Sequence, residues 1–166
     1  MNKRPEWTDF WFTLVLMYST RGTCDRLRAA TIIVKNKRIV GAGYNGSAFG
    51  QPHCDDVGHL IVENHCERTI HSEENAILNT NREDLKGAMA YMVDTPCLRC
   101  ARLLVNSGIC EIHYLREYTN SRGKEHLVEL TKNADVKLVK HDLDPRKLIE
   151  NSIKRLEGPG GALQKK

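Results

Sequence analysis

Apolar residues recur at three- and four-residue spacing over residues 6–20. Trp7, Phe10, Trp11, Leu14, Val15 and Tyr18 fall on one side of a helix, and Arg21-Gly22-Thr23 ends it. The period then changes. Residues 30–35 and 38–42 read as two strands, and Asn36-Lys37 between them has the length of a hairpin turn in which Asn tolerates a positive φ. Gly43-Tyr44-Asn45-Gly46 reads as a further turn, with Asn45 its residue of choice for left-handed geometry. Residues 47–67 follow neither period and are rich in His, Cys and Asp. An irregular stretch of that length is functional or is braced by something other than packing. Residues 71–79 are helical in character, 87–93 form a strand, and Pro96 precedes a helix over 97–107 that Gly108 closes. Strands at 109–115 and 136–140 and helices at 124–133 and 145–156 complete the chain. After the hairpin, strands alternate with helices. That order predicts an α/β fold, a three-layer α/β/α sandwich around a mixed sheet of about five strands.

The length of 166 residues suits one domain, expected over residues 1–156 with the Gly- and Pro-containing segment 157–166 as a flexible tail. A 40% hydrophobic fraction and a net charge of +4 exclude a disordered chain. The apolar run at residues 10–18 is shorter than the roughly 20 residues of a membrane span. No small-residue cleavage site follows it, so neither a membrane segment nor a secretory signal is expected. The six cysteines are then expected in the reducing cytoplasm, where metal binding or catalysis is a better use for them than disulfides. The mild positive charge is compatible with a small anionic substrate. An aromatic fraction of only 6% offers little to stack a polynucleotide, and no nucleic-acid partner is expected.

Two short motifs carry the chemistry. His71-Ser72-Glu73 opens one predicted helix and Pro96-Cys97-Leu98-Arg99-Cys100 opens another. One His and two Cys are zinc ligands by type, and three protein ligands leave a fourth position for water, as in a catalytic site. Zinc lowers the pKa of such a water to roughly 7. Glu73, two residues from His71, can reach that water without binding the ion and can carry its proton to a substrate. A lone C-x-x-C would read as well as a pair of small core residues, with His71 a helix cap. H-x-E upstream of P-C-x-x-C is instead the signature of zinc nucleobase deaminases, and both halves stand here in order.

The resemblance extends beyond these motifs. Gly43-Tyr44-Asn45-Gly46-Ser47, His53-Cys54-Asp55-Asp56, and the run from Asn64-His65-Cys66-Glu67-Arg68-Thr69-Ile70 into His71-Ser72-Glu73-Glu74-Asn75-Ala76-Ile77 resemble the deoxycytidylate (dCMP) deaminases of the cytidine deaminase-like superfamily. Free-base, free-nucleoside and RNA-editing branches lack that combination. The resemblance implies zinc on His71, Cys97 and Cys100, proton transfer by Glu73, and hydrolysis of dCMP to dUMP and ammonia, feeding thymidylate synthesis. It also implies a homo-oligomer, most often a hexamer, with dCTP and dTTP as effectors. Two departures stand out. Ser72 occupies the place of the family's usual Ala in H-A-E, and Ala29-Ala30-Thr31 replaces a usual Val-Gly-Ala run entering the first strand.

By the same resemblance Asn45 contacts the substrate's sugar or base, and Tyr118 helps wall the pyrimidine. Among Arg21, Arg26 and Arg28, ordinarily solvated charges, Arg26 is the preferred phosphate contact, since a monophosphate needs a cation. Some relatives carry a second, structural zinc whose cysteines match Cys24 and Cys54. His59, His65 and Cys66 are the candidates to complete it, and Cys110 reads as core. Three rival functions remain: deamination of dCTP or another cytosine nucleotide, deamination of a polynucleotide base, and a non-enzymatic zinc module, for which Glu73 would be superfluous.

Overall fold

The computed structural model describes residues 3–119 and 123–164. Helix α1 (Trp7–Ser19) precedes an antiparallel hairpin of β1 (Ala30–Lys35) and β2 (Arg38–Tyr44). Asn36 and Lys37 take φ of 51° and 59°, the left-handed pair that lets two twisted strands join through two residues. The predicted turn after Ala42 does not form. β2 runs on through Tyr44, and the Asn45 N–H donates to Ala29 O at 3.1 Å. Gly43 serves close approach instead. A Cβ on Gly43 would collide with the backbone at Ser72, Asn75 and Ala76.

The segment read as irregular holds short pieces: β3 (Gly46–Ser47), one turn of helix α2 (Cys54–Val57), a ribbon of β4 (Ile61–Val62) and β5 (His65–Cys66), and β6 (Thr69–Ile70), which pairs with β3. Two-residue strands carry too few positions to show a period. The His71-Ser72-Glu73 motif then opens α3 (Ser72–Leu78), followed by a four-residue helix α4 (Arg82–Leu85) that is likewise too short to show one. β7 (Met89–Asp94), α5 (Leu98–Asn106), β8 (Glu111–Arg116), α6 (Leu127–Asn133), β9 (Lys137–Lys140) and α7 (Pro145–Glu157) complete the order, α6 being entered through a 3₁₀ turn at Lys124–His126. Asp144 caps α7 by accepting from the Arg146 N–H at 2.9 Å, with Pro145 at the first helical position. Beyond Glu157 the chain turns back, and the Leu163 N–H donates to Leu156 O.

The sheet order is β2-β1-β7-β8-β9, antiparallel from β2 to β7 and parallel from β7 to β9. Alternate residues face opposite layers. Ile33, Ala90, Met92, Ile112 and Tyr114 pack with Ala76 of α3 and Leu104 of α5. Ile32, Val34, Tyr91, Val93 and Leu115 pack with Trp11, Phe12 and Val15 of α1 and Leu148 of α7. The result is an α/β/α sandwich with a mixed five-stranded sheet, and α3 and α5 start at one end of β7. Among the described residues no helix is long and apolar enough to cross a membrane.

Candidate active site and metal centres

His71 is the residue before α3 and Cys97 the residue before α5. Both have extended backbone, with ψ of 154° and 162°, so their side chains stand off the helix starts instead of lying along them. The two starts are tied together by Glu74. One of its oxygens accepts the His71 N–H at 3.2 Å and the other pairs with Arg99 at 2.7 Å. Cys100, one turn into α5, returns to the side of Cys97. His71 Nδ1 then lies 3.7 Å from Cys97 Sγ and 3.3 Å from Cys100 Sγ, with all three ligand atoms within 4.8 Å of one another. Zinc bonds to N and S at the tetrahedral angle would set those atoms about 3.6 Å apart, so the three side chains fit the ion. Hydrogen bonding from Cys100, reinforced by His71, holds the Cys97 thiol down to about 4, and the Cys97 contact lifts His71 to about 9. The same contact with Cys97, and burial, push the Cys100 thiol up. One thiolate is thus ready to bind metal at neutral pH.

Glu73 stands beside this set and outside it. Its carboxylate is buried, accepts a hydrogen bond from Ser72 Oγ at 3.0 Å, and has its pKa raised chiefly by burial. It faces a cavity of about 280 Å³ whose wall also includes Asn45, Arg26, Tyr118, His65 and Asp94. Asn45 is buried, and its amide braces the wall. Oδ1 accepts the Ala29 N–H and Nδ2 donates to Leu27 O, both at 2.7 Å, which leaves one donor hydrogen and one lone pair for a ligand. Of the three arginines only Arg26 lines the cavity, its Nη2 donating to Asn64 O at 2.9 Å. Arg28 is paired with Asp55 at 3.2 Å and donates to Gly22 O, and Arg21 lies over the Tyr44 ring. The Tyr118 N–H is anchored on Thr95 Oγ1 at 3.0 Å. Asp94 and Thr95, at the C-terminal end of β7, were not singled out from sequence, although ligands of α/β sheets gather at such ends.

A second set lies in the segment before α3. Cys24, Cys54, His59 and Cys66 bring their ligand atoms within 4.8 Å of one another. Cys24 Sγ lies 3.6 Å from His59 Nδ1, and Cys54 Sγ lies 3.5 Å from Cys66 Sγ. Asp25 holds the other ring nitrogen of His59 at 2.9 Å, a support that metal-binding histidines commonly have. Burial pushes the Cys54 thiol up to about 12. Burial works against Cys66, yet hydrogen bonds from the Arg68 backbone, Cys54 and His59 bring it to about 7. His65 does not join the set. Cys66 turns its thiol to the cluster, and His65 and Cys66 both line the cavity wall. Cys110 is half-buried at a strand entry, not core, and its thiol donates to Gly87 O.

Comparison with known proteins agrees with this geometry. The chain is 34% identical over 144 residues to ComE operon protein 2 of Bacillus subtilis (strain 168), covering 86% of this chain and 75% of that protein. It is 30% identical over 125 residues to the deoxycytidylate deaminase of Mycobacterium phage D29, covering 69% and 98% of the two. The crystal structure of dCMP deaminase from cyanophage S-TIM5 in complex with dCMP and dUMP shares the fold, with a TM-score of 0.67 at 19% identity over 84% of this chain and 99% of that one. The sequence profile described as "Cytidine and deoxycytidylate deaminase zinc-binding region" matches residues 5–116, a span that holds both helix-start motifs and the strand between them. The chain therefore belongs to the zinc-binding cytidine and deoxycytidylate deaminase family.

Proposed function

We propose that the protein hydrolyses dCMP to dUMP and ammonia. The observation that carries this reading is the placement of buried Glu73 between a three-ligand metal set and a cavity of nucleotide size. His71, Cys97 and Cys100 would hold zinc, which supplies the Lewis acidity that makes water available as hydroxide near neutral pH. Glu73 accepts a proton from the water, delivers it to N3 of cytosine, and then serves the departing amine. The water oxygen becomes O4 of uracil, the C4–N4 bond breaks, and the nitrogen leaves as ammonia. A carboxylate held in a dry site with a raised pKa is suited to both halves of that cycle.

Arg26 is the phosphate contact in this reading, because Arg28 is already paired and Arg21 lies over Tyr44. Tyr118 walls the pyrimidine, and Asn45 holds the loop at residues 27–29 in place while offering its spare donor to the sugar. Cys24, Cys54, His59 and Cys66 hold a second, structural zinc. Six free thiols fit a reducing compartment, the cytoplasm. Homo-oligomeric assembly, as a hexamer regulated by dCTP and dTTP, completes the reading. Large exposed apolar side chains on both outer layers, Trp7 and Phe10 on one and Leu78 and Val128 on the other, support the assembly.

Ammonia release from dCMP, CMP, deoxycytidine, dCTP and a short cytosine-containing oligonucleotide tests the substrate. dCMP is expected to have the highest kcat/KM. Equal turnover of deoxycytidine would overturn the phosphate site, and preference for dCTP would move the assignment to the triphosphate.

A further inference from the structure

The two departures from the family pattern touch each other. Thr31 Oγ1 of β1 lies 2.9 Å from Ser72 Oγ, and Ser72 Oγ donates to Glu73 Oε2 at 3.0 Å. Both hydroxyl residues are enclosed, Thr31 at 0% and Ser72 at 2% exposure. A serine hydroxyl has one hydrogen. Committed to Glu73, it leaves Ser72 Oγ as an acceptor, and among the described residues Thr31 Oγ1 has no other partner. The donors therefore run in one direction, from Thr31 through Ser72 to the carboxylate.

That chain of hydroxyls has a rigid origin. β1 is paired on both sides, Thr31 lying opposite Gly43 of β2 and Met92 of β7, so the Thr31 backbone is fixed by two ladders. Glu73 lies in the first turn of a seven-residue helix, and its side chain has three rotatable bonds between that backbone and the carboxylate. With alanine at both positions, Oε2 would have neither hydroxyl to define its direction.

We propose that Ser72 and Thr31 are positioning residues that aim the Glu73 carboxylate at the cavity, Ser72 directly and Thr31 through Ser72. The proposal rests on the reading of Glu73 as the proton carrier. Misplacing a proton-transfer group by a fraction of an ångström affects the chemical step and not the hold on the nucleotide.

The test is a mutant cycle of Ser72→Ala, Thr31→Val, the double variant and Thr31→Ser, each assayed for kcat and KM on dCMP with zinc content and Tm measured alongside. Losing a hydrogen bond to a charged group predicts that Ser72→Ala lowers kcat about tenfold. KM and zinc content are expected to stay at wild-type values. Thr31→Val lowers kcat by a smaller factor, and Thr31→Ser, which keeps the hydroxyl, recovers most of that loss. The double variant turns over no more slowly than Ser72→Ala, because Thr31 has no separate route to Glu73. Unchanged kcat in Ser72→Ala, or losses that multiply in the double variant, would overturn the proposal. Crystals of wild type and Ser72→Ala give a readout independent of substrate. A displaced or disordered Glu73 carboxylate supports positioning, and one that stays in place refutes it. Failure of the wild type to deaminate dCMP would sink the substrate reading alone, with the crystallographic comparison still deciding the positioning role.

Discussion

In the proposed function Glu73 and Arg26 separate the two demands on a nucleotide deaminase, chemistry and recognition. Glu73 is buried and lies outside the metal set, so removing its charge should spare the ion. Glu73→Gln is expected to retain zinc by elemental analysis and to lose at least the roughly 10²–10⁴-fold in kcat typical of a general acid–base group. Ammonia release near the wild-type rate would remove Glu73 from the mechanism. In the same reading Arg26 belongs to recognition. Its guanidinium reaches the cavity rim from a loop and, among the described residues, is held by Asn64 alone. Arg26→Ala should raise KM for dCMP by about tenfold or more, the scale of one charge-assisted hydrogen bond. Deoxycytidine, which has no phosphate, should be nearly unaffected. Equal losses on both substrates would mean that Arg26 shapes the pocket wall and does not bind the phosphate.

At the scale of elements, the short pieces between β2 and α3 lack a core of their own. Val57, Leu60, Ile61 and Val62 are exposed, and β4 and β5 are two residues each. A two-stranded ribbon of that size is not stable alone in water. The Cys24, Cys54, His59 and Cys66 set joins the loop after α1, α2 and both sides of the ribbon, so an ion there would brace the whole segment, including the wall that carries His65. Cys54→Ser is expected to reduce zinc from about two ions per chain to about one, on one ion per four-ligand site. It should also open residues 54–66 to limited proteolysis. A stoichiometry of one in both proteins would eliminate the second site. The effect on catalysis should be indirect, through the cavity wall, and smaller than that of Glu73→Gln.

Across the whole molecule, the layer opposite the site carries a polar network that sequence reading passed over. His113 on β8 sits 2.9 Å from His141 and 3.0 Å from Glu111, stacks on Tyr91, and is buried; Lys137 pairs with Glu111 at 2.8 Å. Burial lowers the pKa of both His113 and His141. A histidine whose folded value lies below its unfolded value takes up a proton more readily in the unfolded chain. Its stabilisation is therefore complete above the ordinary 6.5 and declines as pH falls below it. Glu111 is held below its ordinary value by the Lys137 hydrogen bond, so its own loss has the same sign but comes at lower pH. Tm measured from about pH 7.5 to about pH 5.5, the span across which an ordinary histidine titrates, should fall more steeply for wild type than for His113→Gln. Comparing the two proteins subtracts the metal loss that acid also causes. Parallel curves would show that His113 does not contribute.

The sequence by itself determined the elements whose period is long enough to read and the chemistry whose spacing is short. The apolar runs at residues 30–35 and 38–42 marked two strands, and Asn36-Lys37 marked the hairpin between them. H-x-E and P-C-x-x-C collected His71, Glu73, Cys97 and Cys100 because both motifs span single helix starts, where local backbone geometry sets the direction of the side chains. Tertiary structure decided what depends on residues distant along the chain. Asn45 read as a turn residue or a substrate contact, and the fold makes it a buried brace of residues 27–29. His65 and Cys66 read alike as ligands, yet among the described residues the fold brings only Cys66 into the four-residue set, while both line the cavity. Thr31 and Ser72, 41 residues apart, read as two unrelated substitutions until the fold placed their hydroxyls in contact. A motif records what neighbours along the chain can do together. Contacts across the sheet depend on register and layer packing, and no local pattern encodes them.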